Sequence, residues 1–240
     1  MCPQEIQRVL SRIPPRLPNL HNSCQTFLMR HILASVVLIV LLFPALALGE
    51  TVKDEDLVYR EGLYYKKFAT VPFTGKVTGG IKGSFKEGKQ DGPWFYYHEN
   101  GKLWKIETYK DGKKDGSWVS YWDNGQLWSK GTCKDGMLVG PWVYYYENGV
   151  LWRKGTYADG KRDGPYFGYY INGQLERKGT YKNGTKVGPW FEYHENGSLA
   201  IKGTYKEGKK DGIFVEYDDN GKLLSKNTYK DGSRIQQPNI

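Results

Sequence analysis

Aromatic rings and lysines that recur at a fixed spacing are the side chains here that could support binding chemistry. Three tryptophans follow one another at intervals of 24 residues, with further rings and lysines close to them in sequence. Aromatic planes beside ammonium groups suit a peptide, a glycan or an anionic lipid headgroup. The alternative is that these rings only pack over the element that carries them. The candidate ligand-binding residues are Trp104, Trp122, Trp128, Tyr146, Trp152, Lys130 and Lys154.

Groups for catalysis or metal binding do not come together in this way. His98 and His194 hold one repeat position four units apart, about 38 Å in a sheet, so they cannot share a site. The turn sequence KDGKKDG (110–116) pairs its aspartates with lysines, whereas calcium needs about six to eight oxygen ligands. The sequence contains no P-loop, dinucleotide-binding glycine motif or nucleophile elbow. We therefore predict that the protein is not an enzyme and has no catalytic residue, metal or cofactor.

A 24-residue unit, present six times in tandem from 91 to 234, must position the candidate residues. The third copy reads VGPWVYYYENGVLWRKGTYADGKR (139–162). Its two runs rich in aromatic and β-branched residues are separated by ENG, and a DG turn follows them. Asn or Asp before Gly predicts hairpins, and we expect a type I turn closed by a left-handed glycine at both turns. The predicted fold is all-β, an elongated single-layer β-meander or solenoid of twelve strands in tandem β-hairpin repeats.

Strict alternation along the strands predicts which side chains share a face. The predicted packed face carries Val143, Tyr145, Leu151 and Tyr157. The predicted opposite face carries Trp142, Tyr144, Tyr146, Trp152, Lys154 and Thr156, together with Lys130, Lys178, Lys202 and Lys226. The position of Trp152 becomes Glu176, Ala200 and Leu224 in copies four to six. A ladder needed only for stability would persist, so this loss favours a binding surface on the first three copies.

The N-terminal part predicts export. Met29-Arg30-His31 leads into an apolar run, and Ala47-Leu48-Gly49 supplies small residues for cleavage, so 29–49 is typical of a signal peptide. The mature chain would start near Glu50 and be periplasmic, envelope-bound or secreted; the alternative is a membrane anchor formed by 32–48. We interpret 1–28 as disordered or as a spurious extension, 50–90 as an entry segment with a degenerate repeat, and 235–240 as a disordered tail.

Charge and cysteine content narrow the classes of partner. The formal net charge is +9, and loss of 1–49 removes four basic residues and one acidic residue, leaving +6. This mild excess does not establish nucleic-acid binding, and we predict none. Cys133 would be the only cysteine of the mature chain, so it forms no intramolecular disulfide. It replaces a tyrosine of the other copies, and we expect it to be buried. We expect a monomer.

The unit G-P-W-x-x-Y-x-x-N-G-x-L-x-x-K-G-x-Y-x-x-G-K resembles the bacterial MORN repeat variant. From Leu57 to Arg234, with the entry sequence GLYYKKF…PFTGKV, the chain resembles the YwqK-type antitoxin family. The first resemblance implies protein scaffolding or phospholipid binding, and the second implies a cytoplasmic toxin as partner. The leading hypothesis is a non-catalytic, exported scaffold that binds an unknown protein through an aromatic and lysine face. The alternatives are binding of envelope glycan or anionic lipid, and an antitoxin that neutralises a toxin.

Overall fold

The computed structural model describes residues 49–235. The predicted extension (1–28), nearly all of the predicted signal peptide (29–49) and all but the first residue of the predicted tail (235–240) lie outside this range. Within it the chain is a series of β-strands with a single 3-10 turn at Asp54–Asp56, which confirms the all-β prediction. Among these residues, no helix has the length and apolar character needed to cross a membrane.

The entry segment extends the sheet of the repeats and adds one separate hairpin. The 3-10 turn connects its first two strands, and β1 pairs in parallel with β4, while β2 and β3 form a separate hairpin. Phe73, Val77 and Phe85 are buried together with Trp94 of the first repeat, so the segment covers that end of the array. Its strands are β1 (Glu50–Lys53), β2 (Leu57–Arg60), β3 (Leu63–Lys66), β4 (Gly75–Thr78) and β5 (Ile81–Lys86).

Each repeat contributes two antiparallel strands, and each strand pairs with the next along the chain, except that the two parts of one interrupted strand in the last repeat both pair with the strand before them. With β1, β4 and β5 they form one sheet of 17 strands. The first strands of the repeats are β6 (Lys89–Tyr97), β8 (Lys113–Tyr121), β10 (Met137–Tyr145), β12 (Lys161–Tyr169), β14 (Thr185–Tyr193) and, interrupted, β16 (Lys209–Lys210) with β17 (Gly212–Tyr217). The second strands are β7 (Leu103–Lys110), β9 (Leu127–Lys134), β11 (Leu151–Ala158), β13 (Leu175–Lys182), β15 (Leu199–Lys206) and β18 (Leu223–Lys230). A last short strand, β19 (Ser233–Ile235), includes the first residue of the predicted tail.

The two turns of each repeat belong to different types. In the ENG turn, Gly149 N–H donates to the Tyr146 carbonyl and Gly149 has φ of 83°, as expected for a type I turn closed by a left-handed glycine. In the DG turn, Asp159 and Gly160 both have positive φ, 48° and 76°. That is a two-residue type I′ turn, so the prediction of one turn type at both ends is wrong for the DG turn.

The predicted assignment of faces is wrong for several residues, because the strands contain bulges. Residues directly opposite each other share a face, and Lys154 lies opposite Val143 while Trp142 lies opposite Gly155. Lys154 therefore lies on the face of Val143, away from Trp142. Trp152 is the extra residue of a bulge between β10 and β11, and such a residue breaks the alternation on which the prediction relied.

Two faces are thus defined, and the buried one is not the one predicted. The aromatic face carries Trp142, Tyr144, Tyr146, Trp152, Arg153 and Tyr157, as the contacts among their rings and the Arg153 guanidinium indicate. The lysine face carries Val143, Tyr145, Leu151, Lys154 and Thr156. The most deeply buried side chains of the repeats, such as Trp142 at 3% exposure, lie on the aromatic face. Tyr157, predicted beside Val143, instead packs against Trp142 with ring centroids 6.2 Å apart.

Candidate functional site

One large ring in most repeats lies over a glycine of the preceding strand on the aromatic face. A Cβ atom added to that glycine would lie less than 3 Å from the ring. The rings are 0 to 3% exposed, so they form the buried core of the array. Glycine within a strand often marks such a close approach. The pairs are Gly83 with Trp94, Gly131 with Trp142, Gly179 with Trp190, and Gly203 with Phe214.

Glu107 interrupts this pattern in the first repeat, because it occupies the position that is Gly131 in the second. It is 1% exposed, and its Oε1 lies 2.8 Å from Lys114 Nζ and 3.2 Å from Lys105 Nζ. The Tyr109 hydroxyl donates to Oε2 at 2.8 Å. Burial raises the pKa of Glu107, but the ion pair with Lys114, the hydrogen bond from Tyr109 and the charge of Lys105 outweigh burial and lower it.

The ring of Trp118 is placed differently from the other core rings because of this carboxylate. Trp118 lies opposite Glu107 and cannot cover that position as Trp142 covers Gly131. Trp118 is only half-buried and donates from Nε1 to the Ser129 hydroxyl at 3.1 Å. The cluster around Glu107 is therefore an internal polar network between the first two repeats, and it accounts for the buried carboxylate without a ligand.

The tryptophan strip, defined as Trp104, Trp128 and Trp152, lies on the aromatic face next to the ENG turns. Trp104 is 39% exposed, and the other two are half-buried. Cations lie beside the outer two rings: Lys105 Nζ is 4.7 Å from the centroid of Trp104, and Arg153 Cζ is 4.3 Å from that of Trp152. The strip thus offers partly exposed rings with cations, which suits binding of a peptide or sugar.

Trp122 and Tyr146, the other predicted aromatic residues, contact the strip but also connect successive repeats. Trp122 lies 5.6 Å from Trp128, and Tyr146 lies 5.9 Å from Trp152, between ring centroids. Trp122 Nε1 donates to the Tyr145 carbonyl at 3.2 Å, and the Tyr146 hydroxyl donates to the Tyr169 carbonyl at 2.8 Å. In each bond the donor and the acceptor are 23 residues apart. The donor directly precedes one ENG turn, and the acceptor is the last residue of the strand that leads to the ENG turn of the next repeat. These two rings therefore support the array itself.

These hydrogen bonds form an inter-repeat ladder that was not predicted from the sequence. His98, Tyr170 and His194 occupy the same position, and each has a ring nitrogen or hydroxyl 2.7 to 3.3 Å from the corresponding carbonyl. The available signal was that this position holds a ring with a polar atom in five copies: His, Trp, Tyr, Tyr and His. That pattern indicates a conserved hydrogen-bonding role within the chain, and it explains both histidines of the array without a metal.

Lys130 and Lys154 are exposed on the lysine face, so the structure does not bring them together with the tryptophan strip. They belong to a lysine row, one residue per repeat, each opposite an apolar side chain of a neighbouring strand. None of the row forms an ion pair with another of residues 49–235. The lysine row consists of Lys130, Lys154, Lys178, Lys202 and Lys226.

Groups for metal chemistry are not assembled in the part of the chain that the structure describes, where no cluster of three or more His, Cys, Asp or Glu side chains could hold a metal ion. Cys133 is buried at 4% exposure, as expected, and burial raises the pKa of its thiol. A raised pKa leaves less of the reactive thiolate at neutral pH.

Tandem hairpins joined by repeated turns, buried rings and inter-repeat hydrogen bonds define a β-repeat protein whose units are stabilised by their neighbours. The sequence pattern of one family, the MORN repeat variant, matches the chain at 90–111, 114–135, 138–159, 162–183, 186–207 and 210–231. These segments make up more than half of the chain, and the protein belongs to that family. MORN repeats generally form non-catalytic repeat scaffolds. No curated protein matches the chain.

Proposed function

We propose that this protein is an exported, non-catalytic scaffold that binds a partner protein through the tryptophan strip. The observation that carries the proposal is that one repeat position holds tryptophan in the first three copies and other residues in the last three. Trp104 is 39% exposed, whereas the same position is Glu176, Ala200 and Leu224 in the last three copies. The array keeps its strands and turns in those copies, so a tryptophan at this position is dispensable for the fold.

The geometry of the strip suits an extended partner surface. Positions one repeat apart lie two strands apart, so the three rings follow one another at about 10 Å. Tryptophan is enriched among interface residues whose removal costs about 2 kcal/mol or more. Arg153 beside Trp152 adds a cation for carbonyl or carboxylate groups of the partner, whereas Lys105 beside Trp104 already pairs with Glu107. Export rests on the predicted signal peptide at 29–49.

Site-specific photo-crosslinking in the producing cells tests the binding surface. A photoreactive amino acid at Trp104 should give a discrete crosslinked product with another protein. The matched control is Leu224, which holds the same repeat position and is 63% exposed. We expect no such product from position 224. Equal crosslinking at both positions, or none at 104, would contradict the proposed surface.

Two companion measurements separate the alternatives. Replacing Trp128 and Trp152 with serine should strongly reduce crosslinking from the reporter at 104 while thermal melting stays cooperative, because the partner contacts all three rings. A product at 104 that glycosidase removes would instead identify a glycan as the ligand.

For export, N-terminal sequencing of envelope and secreted fractions should find a start near Glu50. A cytosolic chain that begins at Met1 or Met29 would refute export.

A further inference from the structure

The lysine row forms a regular line of uncompensated positive charge on the face opposite the tryptophan strip. Its members lie exposed or half-exposed on every second strand from β9 to β18. The strands between them place an apolar residue directly opposite, so charge and apolar surface alternate along the line. The apolar members are Val143, Phe167, Phe191 and Val215.

Carboxylates on this side of the sheet do not neutralise the row. Asp115, Asp163 and Asp211 reach lysines on the lysine face, but they pair with Lys134, Lys182 and Lys230 near the DG turns. The positions along the row itself hold only lysine and apolar residues. Aromatic rings orient several of the ammonium groups: Lys154 Nζ lies 5.0 Å from the Phe167 centroid, and Lys178 Nζ lies 5.1 Å from that of Phe191. This contact reduces the entropy that a lysine loses when it binds an anion.

The spacing of the row selects the geometry of its ligand. Lysines two strands apart are separated by about 9.6 Å, and the five span about 38 Å. A polyproline II segment has three residues per turn and a rise of about 3.1 Å, so its side chains at every third residue recur at about 9.3 Å. A β-strand instead repeats a face at about 6.6 Å and would match only some of the lysines. Polyproline II has no internal hydrogen bonds and can follow the twist of the sheet.

We infer that the lysine row binds an extended acidic segment of a partner protein, with a carboxylate at every third residue and proline or small apolar residues between. The carboxylates pair with the lysines, and the intervening residues contact Val143, Phe167, Phe191 and Val215. About 13 residues of such a segment span the five lysines. This surface is separate from the tryptophan strip, so the two proposals stand or fall independently.

Fluorescence anisotropy with two synthetic peptides of one composition tests the spacing. One peptide, of about 15 residues, has glutamate at every third position and proline elsewhere. Its isomer has all the glutamates at one end. With the full-length protein we expect the evenly spaced peptide to bind at least tenfold more tightly. Equal affinities would overturn the proposal, because net charge alone would then explain binding.

Two matched variants test the location. Replacing Lys130, Lys154, Lys178 and Lys202 with glutamine should weaken binding of the spaced peptide at least tenfold. The control replaces four lysines at the DG-turn edge that also form no ion pair within 49–235, and we expect less than a threefold change. Those control residues are Lys89, Lys113, Lys161 and Lys209. Equal losses in the two variants would contradict a specific row, and circular dichroism checks that both remain folded.

Vesicles of phosphatidylcholine with phosphatidylserine, added to the same assay, distinguish a membrane as ligand. The proposal predicts that vesicles do not displace the spaced peptide and that the row variant sediments with them as the wild type does. Vesicle binding that the row variant loses, without a preference for the spaced peptide, would assign the row to lipid and overturn the proposal.

Discussion

Gly179 and Gly155 occupy the same repeat position but should respond differently to alanine. A Cβ atom at Gly179 would lie 2.7 Å from Trp190 Cδ2 and 2.5 Å from Cζ3, and nearer still to Cε3. At Gly155 the nearest atom is Tyr166 Cδ2 at 3.4 Å, an ordinary contact. Neither glycine has positive φ, so alanine introduces no backbone strain at either position. The pair therefore isolates the effect of the ring.

The loss of stability in Gly179→Ala depends on how far the Trp190 ring is displaced. A small adjustment in a packed core costs about 1–3 kcal/mol. Complete displacement of a tryptophan, which buries about 200 Å², would cost about 5 kcal/mol at about 25 cal/mol per Å². Alanine regains about 0.4–1 kcal/mol by restricting the unfolded chain. We expect Gly179→Ala to lower the free energy of unfolding by about 2–4 kcal/mol, and Gly155→Ala to change it by less than about 1 kcal/mol.

Urea unfolding, followed by both far-UV circular dichroism and tryptophan fluorescence, measures the difference. Two probes are needed because repeat arrays can unfold in parts, and coincident transitions justify a single free energy. If Gly179→Ala is as stable as Gly155→Ala, the close approach of the Trp190 ring does not restrict the residue at position 179.

Three further predictions concern single contacts. The pKa of Glu107 is lowered in the folded state, so its stabilisation is complete above its unfolded value of 4.5 and is lost as pH falls through the folded pKa. Below that pH the free energy of unfolding should therefore fall less for Glu107→Gln than for the wild type. Equal dependence of the two free energies on pH would contradict this. Asp159 has φ of 48°, so Asp159→Ala should cost about 1 kcal/mol in urea unfolding, whereas Asp159→Asn, the residue found at Asn183, should be neutral. Tyr146→Phe should lower the free energy of unfolding by about 1 kcal/mol through loss of the bond to the Tyr169 carbonyl. Tyr145→Phe is its control, since no hydrogen bond of that hydroxyl is present among residues 49–235, and equal effects would argue against the ladder.

The repeat period was sufficient to predict the strands and the ENG turns, because each depends on local sequence. Two runs rich in aromatic and β-branched residues on either side of Asn-Gly strongly favour a β-hairpin. The faces were not predictable from alternation alone, since counting from Trp152 to Lys154 assumes a regular strand. The bulge at Trp152 depends on how β10 and β11 pair, and no glycine or proline marks it in the sequence.

The candidate site was predictable only in part for the same reason. Alternation predicted Lys154 and Trp152 on one face, whereas the bulge puts Lys154 on the lysine face and Trp152 on the aromatic face. The burial of Trp142 did have a signal, because Gly131 lies inside a strand where its size is otherwise unexplained. The role of Trp122 as a donor to the next repeat required a tertiary contact over 23 residues, which composition and periodicity do not specify.

The asparagine at position 227 has a consequence for how this protein can change in length through recombination. It stands where Gly131, Gly155, Gly179 and Gly203 stand in earlier copies, and Glu107 stands there in the first. A gene segment duplicated between copies two and five brings its own glycine, so each new ring finds an open position and the chain extends by about 10 Å. A unit appended after the last copy would place its ring on Asn227. Unequal crossing-over in the interior can therefore lengthen or shorten the binding surfaces in whole steps, while the two ends stay as they are.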